Sequence, residues 1–327
     1  MSPTMSKSDK KALVLLNMGG PDSLDAIEPF LYNLFADRDL IQLPAGALLQ
    51  KPFARLISHF RAKKVEANYR VIGGRSPLLE WTQKQAAAIA GELGANWQPY
   101  VAMRYWMPRA DEVVKKIALD GIRDCVVLSM YPHYTGATTG SSIKDFKRAV
   151  ARSAPELNCS YIEEWYDWSG YLDALAGRVK AGIDNIHDML HNEMQIVFSA
   201  HALPQKFIDR GDPYLDHVKT TVAGVMERVG DIPYQIGFQS RSGPVKWMEP
   251  ETTEVMDRLA AEGCQALLIV PISFVSDHIE TLHEIDIEYR DHAMNAGIHN
   301  FYRSPSLNVD PIFIAAMAEL VRTRGGA

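Results

Sequence analysis

Short apolar runs alternate with helical patterns from one end of the chain to the other, and this most constrains the fold. Strands are expected at about residues 12–17, 100–104, 125–130, 159–164, 195–199, 234–239, 267–272 and 299–302. Continuous apolar runs separated by helical patterns are the signature of a parallel sheet wound by crossover helices. Eight strands are many for one such sheet. The expectation is therefore an α/β fold of two similar four-stranded parallel sheets, with the boundary near residues 166–169. A chain of 327 residues is long enough for two domains that each bury a core.

Composition narrows the function classes. The hydrophobic fraction of 47% and the charged fraction of 23% are those of a soluble globular protein. A formal net charge of −6 argues against a general nucleic-acid binder. Cys125, Cys159 and Cys264 are scattered without a C-x-x-C pair, so neither a disulfide framework nor a zinc knuckle is indicated, and a reducing compartment is expected. The first eleven residues are polar, with no apolar signal core and no Arg-rich transit helix. No run reaches the roughly 18 apolar residues of a membrane span. A cytoplasmic protein is expected, with surface attachment to a membrane left open.

One segment breaks the alternation. Between residues 37 and 76 no strand is expected, and Leu40, Ile41, Leu43, Leu48, Leu49, Phe53, Leu56, Ile57 and Phe60 are interleaved with Lys51, Arg55, Arg61, Lys63 and Lys64. This reads either as an ordinary surface helix or as a lip that touches a large ligand or a membrane.

Open α/β sheets bind ligands at the carboxyl ends of their strands, and there the chain gathers its chemistry. The first strand runs into Asn17-Met18-Gly19-Gly20-Pro21, the second into Arg104-Tyr105, and the third into Tyr131-Pro132-His133-Tyr134 and then Thr138 to Ser142. The fifth ends in Ser199-Ala200-His201, and the sixth in Gln239-Ser240 with Trp247 beyond. The seventh leads into Ser276-Asp277-His278-Ile279-Glu280, where Ile279, Leu282, Ile285 and Tyr289 recur at helical spacing. Glu280, Glu284 and Glu288 then form an i, i+4, i+8 ladder. Asp277 and Glu280 fit a capping box with Asp277 as N-cap; the same carboxylates with His278 also suit a cation or proton path.

No G-x-G-x-x-G or G-x-x-x-x-G-K-[ST] fingerprint is present. Residues 138–142 offer a weak anion cradle at a helix start. His187 and His191 have helical metal-pair spacing but no third ligand, and Ser199 is not on a G-x-S-x-G elbow.

The blocks that carry these residues resemble ferrochelatase. They are Leu15 to Pro21, Tyr131-Pro-His-Tyr-Thr-Gly-Ala-Thr-Thr-Gly-Ser-Ser142, Phe198-Ser-Ala-His-Ala-Leu-Pro204, Arg210-Gly-Asp-Pro-Tyr214, Gln239-Ser240 with Gly243-Pro244 and Trp247, and Ser276-Asp-His-Ile-Glu-Thr-Leu-His-Glu284. The likeness runs from about residue 12 to 322. It implies two doubly wound Rossmann-like domains, 10–166 (with the lip at about 37–76) and 167–304. A porphyrin cleft would lie between them, and a C-terminal helix in 305–327 would pack back on the first domain.

The resemblance also implies insertion of Fe²⁺ into protoporphyrin IX, the last step of haem formation. His201 and Glu280 would be the catalytic and metal-binding pair, facing each other across the porphyrin cleft, with His278, Glu284 and Glu288 as proton relay or metal path. Met18, Arg61, Tyr69, Ser76, Arg104, Tyr105, Tyr131 and Trp247 would bind the porphyrin. In the family, methionine at the Met18 position goes with the protoporphyrin branch and tyrosine with the coproporphyrin branch. Some relatives hold an iron–sulfur cluster in a C-terminal cysteine-rich extension; none is expected here, nor any tightly bound cofactor, since Fe²⁺ is a substrate. The expected partners are the porphyrin, Fe²⁺ and peripherally a membrane surface, but not nucleic acid.

The residue types fit that chemistry. A free-base porphyrin loses two pyrrolic protons as the metal enters, and a histidine near neutrality can accept them. Arg61, Lys64 and Arg104 suit the propionates. A coproporphyrin or cobalt chelatase, and a non-catalytic tetrapyrrole-binding protein on the same fold, are the alternatives.

Overall fold

The computed structural model describes residues 10–40 and 47–326. Two four-stranded sheets carry the fold. The first holds β1 (Lys11–Asn17), β2 (Trp97–Met103), β3 (Asp124–Ser129) and β4 (Asn158–Ile162) in the order β2-β1-β3-β4. The second holds β5 (Met194–His201), β6 (Tyr234–Gln239), β7 (Ala266–Pro271) and β8 (Asn300–Arg303) in the equivalent order β6-β5-β7-β8. All pairings are parallel. β7 is buried along its whole length because helices cover both faces of the sheet, which is why it reads as an unbroken apolar run.

In each sheet the chain winds outward in opposite directions from the central pair, β1 and β3 or β5 and β7. The crevice at such a switch point opens at the carboxyl ends of that pair. The residues after β1, β3, β5 and β7 are therefore placed to share a cleft.

The largest apolar cluster is continuous across both halves. Leu13, Val101 and Leu128 from the first sheet belong to it with Phe198, Leu268 and Val270 from the second. Its seam is filled by the helix Ser169–Ile183 and the last helix, Pro311–Arg324, whose Phe313, Met317 and Leu320 are buried. That last helix packs on both Ser169–Ile183 and Leu78–Leu93. Its start is fixed by Asp310, whose carboxylate accepts from the N–H groups of Ile312 and Phe313, each at 3.0 Å, with Pro311 at the first helical position.

The irregular segment forms a helix of 25 residues, Ala47–Val71, with Pro52 near its start. It lies against Ile27–Ala36, and a separate cluster built on Phe30, Leu31, Phe35, Ala54 and Tyr69 holds the pair together. The outer side stays apolar: Leu48 is 90% exposed and Phe60 72%, with Leu49 and Leu56 also exposed. Ile41 and Leu43 of the expected lip lie outside the described residues. No helix among the described residues is long and apolar enough to cross a membrane.

Candidate active site between the two sheets

The segment after β7 departs from the expected α-helix and capping box. Residues Glu280–Tyr289 form a wide π-helix, closed at its end by a bond from Arg290 N–H back to Ile285 C=O. Asp277 does not cap it. Its carboxylate instead accepts from Ser306, Arg303, Asn308 and Thr281, while Thr281 Oγ1 accepts from the His278 N–H at 2.9 Å. Freed from the cap, Glu280 turns to His201 at the end of the neighbouring strand of its own sheet, so the two stand side by side in contact and do not face each other across a porphyrin-wide gap as expected. π-Helical turns are uncommon and concentrate at functional sites.

Glu280 Oε2 lies 3.0 Å from Nδ1 of His201, the last residue of β5. A carboxylate can only accept, so Nδ1 carries the proton and Nε2 is left to the cleft. The imidazole is about one-third exposed and its backbone is pinned. Ser273 Oγ accepts from the His201 N–H at 2.9 Å, and Tyr214 Oη donates to the His201 C=O at 2.9 Å. Gln239, at the end of β6, donates through Nε2 to Glu280 Oε2 at 3.1 Å.

His278 is buried beside the pair. Its Nδ1–H donates to the Ser276 C=O at 3.1 Å, which fixes the tautomer and directs a bare Nε2 toward Glu280 Oε1, 4.0 Å away. That nitrogen is buried without a hydrogen-bond partner. Phe274 lies between the two imidazoles, 6.0 Å from the His201 ring and 4.1 Å from that of His278.

The two carboxylates of the ladder are driven apart. Burial raises Glu280, but the positive charge available on His201, their hydrogen bond and His278 outweigh it and hold the group at about 2. Glu284 is raised to about 7, first by burial and then by the charge of Glu280. Ser240 supplies its N–H to Glu284 Oε1 at 2.8 Å and its hydroxyl to Oε2, and Tyr289 Oη donates to Oε1 at 3.1 Å. Ser240 does this from a left-handed backbone, φ 64°, a conformation that non-glycine residues hold only where their surroundings enforce it. Burial lowers His201, but Glu280 and Glu284 reverse the effect and leave it raised; burial lowers His278 on balance. Glu288, at the far end, is half-exposed and lies 3.7 Å from His283. The ladder thus runs from a buried anion to solvent.

Across the cleft, Met18 is half-buried against the lip cluster, which also includes Tyr69, Tyr105 and Ile279, the residue before Glu280. Gly19 has φ +85°, so the turn after β1 requires a residue without a Cβ penalty there. A Cβ on Gly20 would overlap the Ser76 side chain. Tyr69 is held un-ionised by burial, as is Tyr131, and both sense the charge of Glu280. Arg61 reaches from the lip helix to Ser242 Oγ of the second half, 2.8 Å away, and lies over the Phe35 ring. Trp247 is half-buried with its indole N–H unpartnered.

Arg104 is differently engaged from what its charge alone suggests. It is largely buried and paired with Asp37 at 2.8 Å and Asp145 at 3.7 Å. Asp37 also accepts from Tyr105 Oη at 2.8 Å and Ser141 Oγ at 2.7 Å. The cation expected to meet a propionate is thus met by protein carboxylates. The hydroxyl-rich cradle is likewise filled from within: Ser141 serves Asp37, while Thr135 Oγ1 and the Gly136 N–H serve Asp212.

His187 caps the 3₁₀ helix Asp188–Glu193 and His191 lies within it, so the two do not share an α-helical face, and each bonds to neighbouring backbone. Ser199 Oγ donates to Gln239 Oε1 at 2.6 Å, so its part is structural. Gln239, Ser240, Ser273 and Tyr214 were not expected as site residues. The first two stand at a strand end, where a signal was available; Ser273 and Tyr214 act through backbone contacts that no spacing reveals.

The family model for ferrochelatase matches residues 10–325. The chain is 52% identical over 319 residues to a ferrochelatase of Geotalea daltonii, spanning 98% of this chain and 99% of that protein. It is 52% identical over 318 residues to that of Geobacter metallireducens, spanning 97% and 99%. With a ferrochelatase of Synechocystis it shares 46% over 317 residues, 94% of this chain and 81% of the relative. Among solved structures, SirB from Bacillus subtilis with Fe3+ aligns at a TM-score of 0.55 and 13% identity, across 97% of this chain and 96% of that one, a likeness of fold. The chain belongs to the ferrochelatase family, the metal chelatases that insert the metal at the end of haem synthesis.

Proposed function

We propose that the chain inserts Fe²⁺ into protoporphyrin IX, with His201 and Glu280 as the reacting pair. The observation that carries this reading is the 3.0 Å contact between them, made at a switch-point crevice by residues that end one central strand of the second sheet and follow the other. His201 accepts a pyrrolic proton at Nε2, and the imidazolium so formed is stabilised by the Glu280 carboxylate behind Nδ1. His278, neutral and with its lone pair turned toward Glu280, and Glu280 itself offer nitrogen and oxygen donors to an incoming ferrous ion, which both donor types suit. Glu284, raised to about 7, exchanges protons near neutrality and passes them toward Glu288 and solvent.

The porphyrin lies against Met18, Tyr69 and Tyr131, with Trp247 at the second half's rim. Arg61, bonded only to a neutral hydroxyl in the contacts described, takes a propionate. The apolar lip favours a vinyl-bearing ring over one with two further propionates, each of which would have to be desolvated or paired. The same lip is suited to lie on a membrane, its exposed leucines and Phe60 among acyl chains and Lys51, Arg55, Lys63 and Lys64 at headgroups.

Anaerobic mixing with Fe²⁺ and protoporphyrin IX tests the reading. Conversion of the free-base absorption spectrum to that of the metalloporphyrin supports it. Porphyrin binding without conversion would make the chain a carrier, and faster conversion with cobalt would change the metal.

A further inference from the structure

Arg303 ends β8, the edge strand beside β7, and stands in register with Ile269. Its guanidinium is mostly buried and meets two carboxylates of the segment that carries Glu280. Nε and Nη2 donate to the two oxygens of Asp286 at 2.8 and 3.0 Å, a forked pair of charge-assisted bonds. Nη1 donates to Asp277 Oδ1 at 3.1 Å and to Ser306 Oγ at 3.2 Å. Burial raises the Asp277 carboxyl, but the charge of Arg303 and the bonds from Asn308, Ser306 and Thr281 outweigh it and leave it lowered. The mechanism above gives Arg303 no part.

The winding of the helix decides what such a bridge can do. Asp277 and Asp286 are nine residues apart; in an α-helix capped by Asp277 that is about two and a half turns, which sets them on opposite faces. In the wider π winding, residues five apart come together. Tyr289 Oη accordingly donates to Glu284 Oε1, and His283 Nδ1 lies 3.7 Å from Glu288. One guanidinium reaching both aspartates therefore belongs with the wide form. At the near end, Asp277 also accepts from Thr281 Oγ1 at 3.3 Å, and Thr281 directly follows Glu280. Glu280 thus lies between two anchored points. A buried ion pair adds little net stability over an apolar replacement, so an effect on position is separable from one on folding. We infer that Arg303 is a positioning residue for metal insertion: by bridging Asp277 and Asp286 it holds the Glu280 carboxylate against His201 Nδ1. This rests on the reading of His201 and Glu280 as the reacting pair.

Two variants test the bridge from its two ends. Arg303→Lys keeps the positive charge but cannot fork, and Asp286→Asn weakens the fork from the helix side. Each is compared with the parent in melting, porphyrin binding and metallation kinetics. Proton NMR of the substrate-free protein adds a direct reading of the contact. It follows the downfield resonance of His201 Nδ1–H donated to a carboxylate, identified by its absence from His201→Gln. Both variants should stay folded at the assay temperature and keep the parental KM for porphyrin. Their kcat should fall roughly 10–100-fold, the range for losing a partner that orients a reacting ligand, and the downfield resonance should be lost. If Arg303→Lys fails to fold, Asp286→Asn decides alone. A parental kcat, or persistence of the resonance, would overturn the inference. Failure of the parent itself to metallate porphyrin would overturn the proposed function instead. The resonance then decides for Arg303: its loss in the variants supports the bridge, and its persistence refutes it.

Discussion

Glu280 Oε2 and His201 Nδ1 lie 3.0 Å apart, joining the end of one central strand of the second sheet to the segment that follows the other. The contact exists because the helix start does not use Glu280 as a cap. Asp277 is tied down by Arg303 at 3.1 Å, Ser306 at 2.7 Å and Asn308 at 2.8 Å, which leaves Glu280 free to face the cleft.

If His201 is the base, its removal should be felt in turnover and hardly at all in folding. His201→Ala should lose about 10²–10⁴-fold or more in metallation, the range for a positioned acid–base group. Melting and porphyrin binding should stay close to those of the parent. A variant that folds and retains most activity would make His201 a structural residue.

The two ladder carboxylates should respond to pH in opposite senses. Glu284 is raised above its ordinary 4.5 to about 7, so the folded state holds that proton more tightly than the unfolded chain does. Its contribution to stability is full below pH 4.5 and is lost as pH rises through about 7. Glu280 is held low; its contribution is present above pH 4.5 and fades as pH falls toward 2. Glu284→Gln cannot ionise, so its melting temperature should gain on the parent's between pH 5 and pH 8. A difference that stays flat across that window contradicts the raised value.

The lip should give weak, reversible membrane association. Liposome flotation should recover the parent with vesicles containing anionic lipid. A variant with Leu48→Ser and Leu49→Ser, both at exposed positions, should stay in the soluble fraction. Equal behaviour of the two proteins, with no effect of lipid on rate, removes the lip from any membrane role.

Substrate preference follows from the same surface. Side-by-side kinetics should give a higher kcat/KM with protoporphyrin IX than with coproporphyrin III, since Met18 and the apolar lip cluster suit vinyl groups, whereas two extra propionates would have to be desolvated or paired. The reverse order would mean that Arg61 and its neighbours hold more negative charge than proposed.

The strands were legible because burial on both faces writes itself as continuous apolar sequence, and all eight appear within a few residues of where the runs place them. His201, Glu280 and Met18 were legible as strand-end residues. The π-helix was not. Ile279, Leu282, Ile285 and Tyr289 fit an α-helical face, and only the tertiary ties of Asp277 reveal that the first turn is built otherwise. Nor could the burial of Arg104 be read, because its partner Asp37 is 67 residues away and lies in the segment with no periodic signal. A pairing of that kind is fixed by the docking of the lip, not by local pattern.

The measurement that bears most directly on the account is metallation by Glu280→Gln, made alongside melting and porphyrin binding on the same preparation. Glutamine keeps the shape and can still accept from His201 through its amide oxygen, but it carries neither a full charge nor an exchangeable acidic proton. It would also suffice at a capping position, where loss would cost at most about 1 kcal/mol. The account predicts a near-parental melting temperature, retained porphyrin binding and nearly abolished metal insertion, with Glu284→Gln milder. Metal insertion by Glu280→Gln at close to the parental rate would contradict it.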